Sequence, residues 1–125
     1  MTKSAILTVV AIVACAVAAA TASTAAAARK PTAAERKALA HAVHAPARCL
    51  RIRVATVRRG WASVRARMPP SASCQGHVGD GVVVLRRRDG VWRQRFAGSA
   101  WACPIPGVPE AVRKDLRLGC PEGGP

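Results

Sequence analysis

Apolar and basic residues alternate along residues 50–54, where Leu50, Ile52 and Val54 are separated by Arg51 and Arg53. That two-residue period predicts a strand with one buried face. Ala62, Val64, Ala66 and Met68 repeat the pattern beyond Arg58-Arg59-Gly60. A three-residue loop there, with Gly60 left-handed, sets Val54 opposite Val64, Ile52 opposite Ala66 and Leu50 opposite Met68, so that the apolar side chains share a face. It also sets Arg53 against Arg65 and Arg51 against Arg67. A two-residue loop at Arg59-Gly60 would pair apolar with basic positions and is rejected. A second hairpin is read from Asp89-Gly90, a strong two-residue turn signal, between Val82-Val83-Val84-Leu85-Arg86-Arg87-Arg88 and Val91-Trp92-Arg93-Gln94-Arg95-Phe96. Counting back from the turn places Val83 opposite Phe96, Leu85 opposite Gln94 and Arg87 opposite Trp92. The core face is then Val83, Leu85, Trp92 and Phe96, with Arg86 and Arg93 opposed on the other side.

Helical signals flank the two hairpins. Thr32-Ala33-Ala34-Glu35 fits a capping box, in which the Thr hydroxyl accepts from a free amide of the first turn and Glu reaches back to the Thr amide. The helix it opens runs over residues 35–44, carries Leu39 and Val43 on one stripe, and ends at Pro46. Pro104, Pro106 and Pro109 make the stretch after the second hairpin a loop. Pro109-Glu110 then opens a short helix with Val108, Val112 and Leu116 at four-residue spacing, a Glu110/Lys114 surface pair, and Gly119 as its stop. The fold class is α+β: an N-terminal helix, a four-stranded antiparallel sheet of two hairpins and a short C-terminal helix, disulfide-stapled, with both helices on the apolar face of the sheet.

The N-terminus has a different character. Lys3 precedes an uncharged apolar run over residues 5–20, and small residues continue to Ala28. This is the pattern of a secretory signal peptide over residues 1–28, with small-x-small sites at Ala20-Thr21-Ala22 and Ala26-Ala27-Ala28 left open. The run is shorter than the roughly 20 residues an uncleaved anchor needs. Ile12-Val13-Ala14-Cys15 offers an alternative, lipid anchoring through Cys15, although Ala16 and the residues after it continue the apolar run where a polar tether is expected. Residues 29–125 form the single small secreted domain, with an ordered core over about residues 32–121.

The 125 residues allow one domain and exclude a multidomain enzyme, a solenoid of several repeats and a polytopic membrane protein. Removing Lys3 with the leader lowers the formal net charge from +14 to +13. The core of so small a domain is thin, and disulfides at about 2–4 kcal/mol each would supply the margin. Cys49, Cys74, Cys103 and Cys120 remain after export, an even number, which predicts two bonds. Their gaps of 25, 29 and 17 residues lack the close pairs of a zinc site.

The order of elements resembles the helix-on-curved-sheet arrangement of cystatin-like and nuclear-transport-factor-2-like folds, and of the repeat unit of beta-lactamase inhibitory proteins. The cystatin edge motif Gln-x-Val-x-Gly is absent, so no inhibitory residues carry over. A more specific set, Trp61-Ala62, Val84-Leu85-Arg86-Arg87 with Gly90-x-Trp92, Gly98-Ser99, Cys103, Pro109, Val112, Asp115-Leu116 and Gly119-Cys120-Pro121, is similar to small secreted proteins of unknown function from high-GC Gram-positive bacteria. That resemblance spans about residues 53–121. It implies export, a hairpin and a Cys103–Cys120 bond, which would staple the last helix to the end of the last strand, and it supplies no catalytic residues. Cys49–Cys74 completes the expected pairing, because the first hairpin sets Cys49 opposite Pro69 and the turn at Pro69-Pro70-Ser71 brings Cys74 back to that open end.

Catalytic raw material is scarce. The acids are Glu35, Asp80, Asp89, Glu110, Asp115 and Glu122, assigned to turns and helices rather than to a pair. Ser63, Ser71, Ser73 and Ser99 lie in no nucleophile-elbow context. His41 and His44 share a helix face with His77 elsewhere, but no Cys or carboxylate joins them, and no glycine-rich phosphate loop follows a strand. A non-catalytic protein without cofactor or metal is expected. Trp92 and Trp101 read as core, whereas Trp61 falls with Val57 on the arginine face.

That face carries the functional expectation. Arg51, Arg53, Arg65, Arg67, Arg86, Arg88, Arg93 and Arg95 project away from the core, and eleven Arg between Arg51 and Arg95 meet only Asp80 and Asp89. Like charges opposed across strands repel until an anion lies between them. An anionic envelope polymer or other polyanion is the implied partner, with no transmembrane segment in the mature chain. The alternative is a secreted inhibitor or protein-interaction module. Composition competes with both, since Ala, Arg, Gly and Pro, whose codons are GC-rich, make up half the chain while Lys contributes only four residues.

Overall fold

The computed structural model describes residues 27–77, 79–99 and 103–119. Helix α1 (Ala33–Ala42) precedes strands β1 (Leu50–Val54), β2 (Trp61–Ala66), β3 (Val82–Arg88) and β4 (Val91–Gly98), and helix α2 (Glu110–Asp115) follows. The strands form one antiparallel meander in the order β1-β2-β3-β4.

The first hairpin keeps the expected face parity but not the expected register. Leu50 pairs with Ala66, Ile52 with Val64 and Val54 with Ala62, two positions from the three-residue-loop pairing. Arg51 therefore opposes Arg65, and Arg53 opposes Ser63, rather than Arg67 and Arg65. The cause is a longer loop. Ala55 N–H still donates to Trp61 C=O, and the amides of Thr56 and Val57 find their acceptor in Asp115 Oδ2 at 2.6 and 3.2 Å. Gly60 takes the left-handed conformation (φ +82) that the turn needs.

The second hairpin turns at Asp89 and Gly90, both at positive φ (51 and 75), the geometry that matches strand twist. Arg87 pairs with Trp92 and Leu85 with Gln94 as expected, but a bulge beside Leu85 then shifts the ladder. Val84 faces Phe96 and Val83 faces Ala97, leaving Arg95 as the extra residue. Phe96 is thereby moved off the expected core face, and Val83 is only half-buried there.

Both faces of the sheet are covered. On one, Leu39 and Ala40 of α1 pack on Leu50, Ile52, Val54, Ala62, Val64, Leu85 and Trp92. On the other, Ile105, Val108, Val112, Leu116 and Leu118 pack on Trp61, Val82 and Val84, with Phe96 against them. The C-terminal helix thus lies opposite α1, not beside it. The reason is visible in β3, where four consecutive apolar residues present side chains to both faces, the mark of a strand buried on two sides.

The capping box forms as expected: Glu35 N–H donates to Thr32 Oγ1 at 3.1 Å, and Thr32 N–H to Glu35 Oε1 at 2.9 Å. Both helices end in Schellman motifs without glycine. His44 (φ 56) follows α1, with Ala45 N–H on Ala40 C=O and His44 N–H on His41 C=O. Arg117 (φ 54) follows α2, with Leu118 N–H on Arg113 C=O and Arg117 N–H on Lys114 C=O. Gly119 is therefore not the residue that stops α2.

Cys49 and Cys74 are bonded, with Cα atoms 5.4 Å apart. The two-residue register shift places Cys49 opposite Arg67, whose amide donates to the Cys49 carbonyl at 2.9 Å, and not opposite Pro69. Cys103 is also disulfide-bonded. Cys120, Trp101 and residues 1–26 lie outside the described residues.

Ahead of α1, Arg29 exchanges two backbone hydrogen bonds with Val54 at 2.9 Å. Its guanidinium donates to both Glu35 oxygens at 2.7 and 2.9 Å. The hydrogen bond from Arg29, more than any other influence, holds the Glu35 carboxyl at about 2, below the ordinary 4.5. A carboxylate with a lower pKa folded than unfolded contributes stability above pH 4.5 and loses it as pH falls toward 2. The urea midpoint is expected to drop across that window, and Glu35→Gln to flatten this part of the profile. An identical profile in the variant would remove the pair from the account.

Candidate functional site

The strand registers sort the outward arginines into two corners. Across the face that carries α2, one row reads Arg51, Arg65, Val82, Gly98, the next Arg53, Ser63, Val84, Phe96, and the next Trp61, Arg86, Arg93. Arg88 and Val91 close the hairpin end. The apolar positions form a diagonal band, and the C-terminal segment lies on it. Arg51, Arg53 and Arg65 therefore stand at one corner, with Arg86, Arg88 and Arg93 at the corner diagonally opposite. Arg95 leaves the ladder at the bulge, its Nη2 3.6 Å from the position a Cβ on Gly107 would occupy. Arg67 lies just beyond β2, and its Nε donates to the Leu50 carbonyl at 3.1 Å. The continuous arginine face expected from alternation is thus interrupted by core.

At the first corner the sheet and the end of α2 enclose a cleft of about 230 Å³, lined by Arg51, Arg53, Ser63, Arg65, Leu116 and Arg117. A wider groove of about 560 Å³ shares Arg51, Arg53 and Arg117 with it, and Arg29, Lys30, Arg36 and Arg67 also line that groove. No described carboxylate lines either cavity. Among the described acids, Glu35 is taken by Arg29, Glu110 by Lys114 and Asp115 by the β1–β2 loop, while Asp80 and Asp89 lie in a bend and a turn outside both linings. The cleft concentrates positive charge without a counterion among the described residues, a setting in which anions are drawn in and salt screens the attraction.

At the second corner two arginines stack on tryptophans directly across the ladder. The Arg86 guanidinium lies 5.2 Å from the Trp61 ring centre, and Arg87 lies 5.5 Å from that of Trp92 on the other face. Partial desolvation, then Arg88, Arg95 and Arg58, push the Arg86 pKa below the ordinary value. Trp61 falls on the arginine face as its parity requires, but it is buried under the C-terminal segment and under Arg86.

Other chemistry is not assembled among the described residues. The His41 and His44 rings are 6.4 Å apart, and no three His, Cys, Asp or Glu side chains meet. No described helix is long and apolar enough to cross a membrane. Searches of protein-family models, curated proteins and solved structures return no match.

Three residues of the site escape a reading of local sequence. Arg117 stands where a glycine is the usual helix stop, so nothing marks it as the residue that turns the chain back toward β1. Ser63 sits inside an alternating strand and is 3% exposed, yet it lines the cleft. Asp115 secures a loop 59 residues away in sequence.

Proposed function

We propose that this chain is an exported, disulfide-stabilised, non-catalytic protein that binds anionic polymers, such as those of a cell envelope, through its two arginine corners. The observation that carries the reading is the cleft of Arg51, Arg53, Arg65 and Arg117, which no described carboxylate lines. Like charges opposed across a ladder cost stability in the free protein, and an anion between them reverses the sign. Export is supported by the leader pattern of residues 1–28 and by the Cys49–Cys74 bond, which persists in an oxidising compartment. Kinship with small secreted proteins of high-GC Gram-positive bacteria is part of the same proposal.

The test is a fourfold variant in which Arg51, Arg65, Arg88 and Arg93 become Gln, with Arg86 left in place because it stacks on Trp61. Fluorescence anisotropy with labelled polyphosphate is expected to show affinity reduced at least about tenfold at 0.1 M salt. Thermal stability is expected to be equal or higher, since opposed charges have been removed. Unchanged affinity would reject the reading, and so would a clear loss of stability, which would make these side chains packing elements.

A further inference from the structure

The first corner is more than charged surface. Arginines of β1, of β2 and of the end of α2 line the same small cleft, so three elements converge on it. Arg117 is there at a cost. It holds a left-handed backbone that glycine adopts freely, and it adds a fourth positive charge to three others. Its amide bond to Lys114 would form equally well with glycine, and its side chain has no hydrogen bond or ion pair among the described residues. The residue is thus unfavourable to the free fold on two counts, and His44, which closes α1 with the same left-handed backbone, adds no charge to such a cluster. Ser63 lines the same cleft: the residue is 3% exposed, and its hydroxyl makes no hydrogen bond to a described residue, which leaves it able to donate to a group in the cleft.

We infer that this cleft is a discrete site for one phosphoryl oxyanion, a phosphate or a phosphate ester group, held by Arg51, Arg53, Arg65 and Arg117 with the Ser63 hydroxyl. The inference rests on the polyanion reading and narrows it to a chemical group. A carboxylate is satisfied by a single guanidinium fork, whereas a tetrahedral oxyanion offers acceptors in all the directions from which these donors come. The cavity of about 230 Å³ takes such a group with a few waters, and it falls below the roughly 300–1,000 Å³ of sites for larger organic ligands.

The test uses the exported protein with inorganic phosphate and pyrophosphate as probes, titrated by calorimetry against sodium chloride at matched ionic strength. Saturable binding at one site is expected. Arg117→Gly should raise the melting temperature by about 4–8 °C by relieving the backbone, and should weaken phosphate binding at least about fivefold. Arg117→Lys keeps the charge and the strain, and should retain the wild-type melting temperature and part of the affinity. Ser63→Ala should weaken binding about threefold to tenfold, and a Lys37→Gln/Arg48→Gln pair, exposed and outside both cavities, should leave it unchanged. Equal phosphate affinity in Arg117→Gly, or no saturable binding beyond the chloride control, overturns the site. If labelled polyphosphate still binds in that case, the broader reading stands; if wild-type protein binds neither probe, both fall.

Discussion

Replacing Asp115 by Ala is expected to lower the stability of the domain by about 3 kcal/mol and its melting temperature by more than about 10 °C. The carboxylate is 5% exposed, and its Oδ2 accepts from Thr56 N–H at 2.6 Å, Val57 N–H at 3.2 Å and Thr56 Oγ1 at 3.3 Å. Hydrogen bonds to a charged acceptor contribute about 1.5–3 kcal/mol each, and here the freed amides lie on an exposed loop that water can partly reach, so the total stays well below the sum. The bonds join α2 to the β1–β2 loop and hold open the long loop on which the hairpin register depends. Asp115→Asn keeps one acceptor and should cost about half as much. Urea melts showing a change within 0.5 kcal/mol for the Ala variant would mean that the loop is held by something else.

Removing the Cys49–Cys74 bond by a double Ala substitution is expected to cost about 3–4 kcal/mol. The bond closes a loop with a sequence separation of 25, for which chain entropy alone gives about 3.5 kcal/mol at 25 °C. Packing adds to this, because Cys49 and Cys74 are 2% and 7% exposed. A domain of this size has about 5–15 kcal/mol in total, so the variant should unfold at much lower urea concentration or be partly unfolded at 37 °C. A loss below about 1 kcal/mol would show that the chain between the two cysteines is ordered without the bond.

Much of the fold is legible locally. Alternation from Leu50 to Val54 and the Asp89-Gly90 turn identify the strands, and Thr32 with Glu35 identifies the start of α1. What local pattern misses depends on distant partners. The β1–β2 register is set by a carboxylate on α2, and no property of Arg58-Arg59-Gly60 reveals it. The bulge at Arg95 leaves no glycine to mark it, yet it moves Phe96 to the other face. The placement of α2 was nevertheless written in Val82-Val83-Val84-Leu85, a run that alternation alone treats as one-sided. For the site, alternation finds the arginines of both hairpins, but their division into two corners follows from the apolar diagonal that the C-terminal segment covers. Arg117 joins them only through a left-handed residue that carries no glycine signature.

The central claim is that unpaired arginines bind anionic polymers by replacing their counterions. Its most direct measurement is the salt dependence of wild-type affinity for a short DNA duplex, used as a polyanion of known charge spacing. Each neutralised phosphate contributes about 0.9 to the slope of log K against log salt, so three to seven contacts from the two corners predict a slope between about −3 and −6. A slope shallower than about −1, or a stoichiometric complex whose affinity is indifferent to salt, would contradict it.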